Sequence, residues 1–148
     1  VPPVVMAVRR QRGPRACAAT QSAIHLIEQN TAACVIIRNG VIERTEMGRG
    51  IGPVLKLYDE GVLKGAYVVD KIIGKAAAMI LTEGGATACY ALTMSRAAKD
   101  WLTSHGVKAS CRDCVDVIIN RAGDGMCPME ETVLNVTTAN AKRLFALK

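Results

Sequence analysis

A chain of 148 residues that is 50% hydrophobic and 22% charged is long enough for one domain with a substantial core, and it is too apolar for a mainly disordered protein. Charged residues interrupt every apolar run before it reaches the ~20 residues of a membrane-spanning helix, so we expect no membrane partner. Much of the net charge of +6 comes from four arginines within residues 1–15, and the few aromatic residues form no stacking platform, which makes nucleic acid an unlikely partner.

Residues 1–15 contain three of the five prolines and no periodic apolar pattern. We therefore predict a flexible basic extension, followed by a single domain over residues 16–148. The chain begins with no secretory signal pattern, and Cys34 and Cys89 fall in predicted strands, where cysteine is expected to be a small buried residue. These features favour a cytoplasmic protein.

Helical and extended segments alternate along the chain. Asn39-Gly40 is a strong hairpin signal, and Pro53 and Ser95 suit the first turn and the N-cap of helices. The predicted helices cover residues 18–29, 53–60, 71–83, 96–104, 127–135 and 138–147, and the predicted strands cover 33–38, 41–45, 65–69, 87–92 and 107–110, with 115–119 left as strand or helical turn.

A hairpin followed by alternating helices and strands predicts an α/β protein, with a mixed sheet that is parallel at its centre and has helices on both faces. Right-handed crossovers then place the helix starts at Pro53, Lys71 and Arg96 along one edge of the sheet. The loops at residues 48–52 and 69–71 are therefore expected to be neighbours.

Three strings of sequence carry a resemblance to a known family: Gly48–Pro53, Ala66–Ala78 and Asn120–Glu130. In this order they resemble the domain-of-unknown-function family number 1893, of the cytidine-deaminase-like superfamily. The resemblance covers about residues 18–135, and it implies a three-layer α/β/α sandwich with a mixed sheet.

Deaminases of that superfamily hold zinc through a His or Cys at the start of the second helix and a Cys pair at the start of the third. The matching positions here, residues 50–53 and 70–74, contain neither His nor Cys. Zinc needs three protein ligands for this chemistry. The resemblance therefore implies a pocket without a zinc-dependent deaminase centre, and we expect no metal and no cofactor.

Asp70, Lys71 and Lys75 are the first candidates for ligand binding. The two lysines could attract an anion at a helix start while Asp70 accepts a hydrogen bond. The alternative is that Asp70 is only an N-cap and that both lysines are solvated, four residues apart on one helix face.

The glycine-rich loop before Pro53 is the second candidate. Its backbone at Gly50 and Gly52 could surround a phosphate while Arg49 makes a bidentate contact. An ordinary turn is the competing interpretation.

The glycine-rich string Asn120–Glu130 is the third candidate. Cys127 precedes Pro128 at a predicted helix start, where a thiol pKa is lowered, so Cys127 is a candidate nucleophile with Glu130 as acid or base. A structural cysteine is the competing interpretation. The remaining ligand-binding candidates in this string are Asn120, Arg121, Gly123 and Gly125.

Cys111 and Cys114 have the spacing of a redox or metal pair, but no second pair stands at zinc spacing. Incidental thiols are favoured, and an opportunistic disulfide is the alternative.

The function that these patterns favour is binding of a nucleotide-like small ligand, as a sensor or accessory domain. One alternative is a metal-free enzyme, a transferase or hydrolase on a nucleotide-derived substrate, with Cys127 or Lys75 as the reactive group. Another alternative is a structural interaction domain, in which the same motifs form the interface of a homo-oligomer.

Overall fold

The structure, a computed structural model, describes residues 18–48 and 50–118. Within these ranges no helix is long and apolar enough to span a membrane. The elements in chain order are α1 (Ala18–Glu28), β1 (Cys34–Arg38), β2 (Val41–Glu46), α2 (Gly52–Asp59), β3 (Tyr67–Ile73), α3 (Lys75–Gly84), β4 (Ala88–Ser95), α4 (Arg96–Ser104) and β5 (Lys108–Val115).

The five strands form one sheet in the order β2-β1-β3-β4-β5. β1 is antiparallel to both of its neighbours, whereas β3, β4 and β5 are parallel to one another. The predicted α/β protein with a mixed sheet is therefore confirmed. Because β1 alone runs in the opposite direction, β2, β3, β4 and β5 all end at the same side of the sheet, which we call the carboxyl edge.

Helices pack on both faces of this sheet. Ala23 and Ile27 of α1 pack with Val35, Ile37 and Val69 on one face. On the other face, apolar side chains of α2, α3 and α4 form the larger core with the sheet. Cys34 and Cys89 are buried in this larger core, as predicted.

Two local sequence signals form the structures expected of them. Asn39 and Gly40 have φ values of 52° and 76°, the left-handed conformations that a tight hairpin turn needs. The Oγ atom of Ser95 accepts a hydrogen bond of 3.1 Å from the backbone N–H of Ala98, so Ser95 is the N-cap of α4.

The helix predicted from Lys71 is wrong at its start. Residues 70 and 71 continue β3, which pairs with β4 as far as Ile73, and α3 begins only at Lys75. The N-cap is Gly74, in an extended conformation, and not Asp70. Paired β-branched residues extend the strand here, although an aspartate before an alanine-rich run is typical of a helix start.

The short strand predicted over residues 107–110 is also wrong in its extent. β5 continues to Val115, because β4 offers it a parallel partner along its whole length. Cys111 and Cys114 therefore both lie in a strand at the border of the sheet. The predicted extension and the helices over 127–135 and 138–147 lie outside the described residues. In the segment 115–119, Val115 is the last residue of β5, residues 116–118 form neither strand nor helix, and residue 119 lies outside the described residues.

Candidate functional site

The carboxyl edge brings together the starts of three helices. α2 follows β2, α3 follows β3 and α4 follows β4, so each helix begins where a strand ends. The start of α4 is capped by Ser95, but the starts of α2 and α3 have no side-chain cap. The first backbone N–H groups of a helix point outward from its start, where they can donate to an acceptor.

Asp70 is a buried carboxyl on the same side of the sheet as these helices. Burial raises its pKa from the usual 3.8 to about 7, although hydrogen bonds from the N–H groups of Lys71 and Ile72 and from Cys34 oppose the rise. The bond from Lys71 N–H to Asp70 Oδ1 is 2.7 Å long. At neutral pH this carboxyl therefore exists both as an acid that can donate and as an acceptor.

Cys34 lies directly opposite Asp70 in the antiparallel pairing of β1 and β3. Burial, followed by the charge and the hydrogen bond of Asp70, raises the pKa of the Cys34 thiol well above its usual value. Cys34 is therefore a neutral thiol that donates to the carboxyl. The sequence alone did not reveal this pair, because residues 34 and 70 become neighbours only through the strand order.

The pair is the centre of a longer line of residues that crosses all five strands. The register gives this cross-sheet row as Glu46, Cys34, Asp70, Ala91 and Cys111. At the β2 end, Glu46 is held by Arg44 at 2.6 Å and by Lys56 of α2 at 3.2 Å. The row thus places ionisable groups beside an otherwise apolar core.

Lys75 and Lys71 lie in different surroundings. Lys75 is the first residue of α3, and its Nζ atom is 5.4 Å from the ring centroid of Trp101 on α4. Trp101 also stacks on His105, with ring centroids 4.3 Å apart. Lys71 is exposed on β3 and not on a helix. The alternative interpretation, in which the two lysines lie four residues apart on one helix face, is therefore wrong.

The indole N–H of Trp101 is an unusual feature beside Lys75. Its Nε1 atom is buried and has no hydrogen-bond partner, the only such side-chain nitrogen or oxygen in the described part of the chain. An unpaired buried donor costs free energy. No local pattern in the sequence reveals it, because the lack of a partner depends on how the surrounding side chains pack.

The loop before α2 has room around its glycines. Gly50 has a φ of 58°, and a Cβ atom added at Gly50 or Gly52 would meet nothing within 4 Å. Gly52 begins α2, which packs against α3. The candidates that lie outside the described residues are Arg49, Asn120, Arg121, Gly123, Gly125, Cys127 and Glu130.

Two concave surfaces in the described part of the chain lie away from these residues. One, of about 480 Å³, is beside the β1–β2 turn and is lined in part by Arg38 and Tyr67. The other, of the same volume, lies on α1 at Gln21 and His25. Among residues 18–48 and 50–118, no three His, Cys, Asp or Glu side chains are grouped so that they could hold a metal ion.

Comparisons with known proteins relate this fold to one family. The family model described as TM1506, domain of unknown function (DUF1893), matches residues 22–146. The crystal structure of a DUF1893 family protein (TM1506) from Thermotoga maritima, at 2.70 Å resolution, has a TM-score of 0.76 to this chain and 22% sequence identity. The match covers 95% of this chain and 97% of that one. No curated protein sequence matches.

Proposed function

This chain belongs to the DUF1893 family, whose function is unknown, and we propose that it binds a small nucleotide-like ligand at the carboxyl edge, as a sensor or accessory domain. The observation that carries the proposal is the buried carboxyl of Asp70 with its pKa of about 7. A carboxyl buried in an apolar layer costs stability, and such perturbed groups are concentrated at functional sites.

The chemistry of Asp70 suits one part of such a ligand. A carboxyl that is partly protonated at neutral pH can donate one hydrogen bond and accept another. The edge of a nucleobase that carries an N–H group beside a C=O group needs this combination. A permanently ionised aspartate could only accept hydrogen bonds, so it could not bond to the C=O group of the nucleobase.

The helix starts at the carboxyl edge suit the phosphate groups of a nucleotide. The starts of α2 and α3 lie at one edge of the sheet, and Lys75 supplies a positive charge at the start of α3. Phosphate groups bind to the first N–H groups of a helix, and an added lysine strengthens the attraction. The open space at Gly50 and Gly52 lets the backbone of the loop approach a ligand.

A relationship of this fold to the cytidine-deaminase-like superfamily is part of the proposal. In that superfamily the matching edge of the sheet accommodates a nucleoside. Here residues 50–53 and 70–74 lack the His and Cys ligands of the deaminase zinc, so we propose that the pocket was kept for binding without that centre.

The test is a binding series with nucleoside monophosphates and triphosphates, read by thermal shift and by calorimetry. The variants are Asp70→Leu, which removes both the donor and the acceptor, Lys75→Ala and, as the matched control, Lys71→Ala, which removes an exposed lysine from β3. Losing one hydrogen bond or ion pair to the ligand should weaken binding by about tenfold or more, whereas the control should stay within about twofold of wild type.

Inorganic phosphate alone is a separate arm of the experiment. If phosphate competes with the nucleotides and nucleosides do not bind, only the anion-binding part of the proposal stands. The proposal fails if no nucleotide stabilises the wild-type protein, or if the Lys75 and Asp70 variants bind nucleotides as the control does.

A further inference from the structure

Trp101 of α4 carries a buried polar group that the rest of the described chain leaves unpaired. Only 9% of this residue is exposed, and its Nε1 atom has no hydrogen-bond partner within the described part of the chain. Nearly all buried polar groups in native proteins are paired, so each exception needs an explanation. An acceptor that comes from outside the chain would provide one.

Two side chains lie against the ring of Trp101. His105 stacks on it with the ring planes 20° apart, and the Nδ1–H group of His105 donates to the carbonyl oxygen of Trp101 at 2.7 Å. The Nζ atom of Lys75 lies over the ring, 5.4 Å from its centroid. Lys75 is half-buried and is the first residue of α3. The indole therefore lies beside the lysine to which we assigned a phosphate group.

We propose that Trp101 is a ligand-binding residue, whose indole N–H binds one phosphate group of the ligand together with the ammonium group of Lys75. This role rests on the proposed function, which brings a phosphate to Lys75. The indole nitrogen can only donate, and a phosphate oxygen can only accept from it. The ligand would thus pair the one buried donor that the described chain leaves without a partner.

The distances allow one phosphate to reach both nitrogens. Nε1 belongs to the ring under Nζ, which puts these two atoms roughly 3–8 Å apart. A hydrogen bond spans ~2.9 Å and the oxygens of a phosphate are ~2.5 Å apart, so one phosphate can bridge donors separated by up to ~8 Å. A bond between charged groups is stronger than a cation–π contact, so Lys75 should turn from the ring to the phosphate and uncover the indole.

The first measurement is proton NMR of the full wild-type chain, titrated with inorganic phosphate and with nucleoside triphosphates. Trp101 is the only tryptophan of the chain, so the spectrum contains one indole N–H signal. This signal should move downfield as a hydrogen bond forms, and the shift should saturate at the concentrations at which calorimetry shows binding. A role of Trp101 in packing alone would leave the signal in place.

The second measurement is the affinity of Trp101→Phe, which keeps an aromatic ring for Lys75 and His105 but has no N–H group. Its affinity for nucleoside triphosphates should be about tenfold lower than that of wild type, because one hydrogen bond to the ligand is lost. Tyr90→Phe is the matched control. It removes a hydroxyl group from an aromatic side chain that packs with the core on the α1 side of the sheet, and it should bind within about twofold of wild type.

The outcomes separate this role from the proposed function. If wild-type protein binds nucleotides but its indole signal does not move, the role of Trp101 is overturned and the proposed function stands. Equal affinities of wild type and Trp101→Phe would overturn the role in the same way. If wild-type protein binds neither phosphate nor any nucleotide, both proposals fail. The NMR arm uses only wild-type protein, so it decides the question even if Trp101→Phe does not fold.

Discussion

Cys34 and Asp70 stand opposite each other on neighbouring antiparallel strands, and the thiol of one donates to the carboxyl of the other inside the core. The thiol of Cys34 thus has a hydrogen-bond acceptor inside the core. Their protonation is linked to the stability of the fold, because only the folded protein imposes the burial that raises the pKa of Asp70.

The stability of this protein should depend on pH through Asp70. Its pKa is 3.8 when solvated and about 7 in the fold, so between these values the folded state binds more protons than the unfolded state. The free energy of unfolding should therefore fall as pH rises from about 4 to 7, by at most about 1.4 kcal/mol per pH unit. Urea unfolding at a series of pH values measures this slope.

The matched variant for that measurement is Asp70→Asn. It keeps the size of the side chain and removes the ionisation, so the slope attributed to Asp70 should be absent from the variant and should remain in the difference between the two proteins. An unchanged slope in the variant would show that other groups produce the pH dependence.

Arg44 should contribute stability in the opposite pH range. It bonds Glu46 and Glu60, each at 2.6 Å, and these bonds lower the pKa of both carboxyls below their usual 4.5. Their contribution is present above pH ~4.5 and is lost as pH falls through the lowered pKa values. Arg44→Met should therefore lower Tm by a few degrees at pH 7, with the difference disappearing near pH 2.

Arg96→Met is the control for Arg44. Arg96 pairs with Asp116 at 3.4 Å, and both side chains are exposed, so its removal should leave Tm nearly unchanged. If both variants lowered Tm by the same amount, the bonds of Arg44 would contribute no more stability than an exposed ion pair.

Ser95→Ala should destabilise the protein by about 1 kcal/mol, because the first turn of α4 loses its only side-chain cap. Ser22→Ala on the exposed side of α1 is the matched control, since alanine there should be neutral or slightly stabilising. Chemical denaturation of both variants measures the difference. A similar effect at both positions would mean that the cap contributes nothing.

Gly84→Ala should cost about 1–3 kcal/mol, because its Cβ would lie 2.6 Å from Cδ1 of Leu63 in the core. Gly52→Ala has open space around the new atom and should change the free energy of unfolding by no more than about 0.5 kcal/mol. Equal stability of the two variants would show that α3 moves away from Leu63 without cost.

The sequence was informative wherever a short local signal determines the backbone. Asn39-Gly40 predicted the hairpin and Ser95 predicted the start of α4, because each acts on residues within three positions of itself. The alternation of elements was sufficient to predict a mixed sheet. The placement in the cytidine-deaminase-like superfamily stays a prediction.

The errors came from contacts between distant residues. Asp70 looked like a helix cap, but the neighbouring strands on both sides keep it in β3. β5 extends beyond the predicted residues 107–110 through Arg112 and Asp113, because a border strand tolerates polar residues on its open side. The Cys34–Asp70 pair depends on the order of the strands, which no local pattern encodes.

The outer strand β2 has a consequence for how copies of this protein behave at high concentration. It carries Glu43, Arg44 and Glu46, each held in an ion pair, and its register with β1 shifts between Ile36 and Ile37. A new strand from another molecule would have to displace these pairs and follow an uneven border. We therefore expect this side of the sheet to resist aggregation by strand addition.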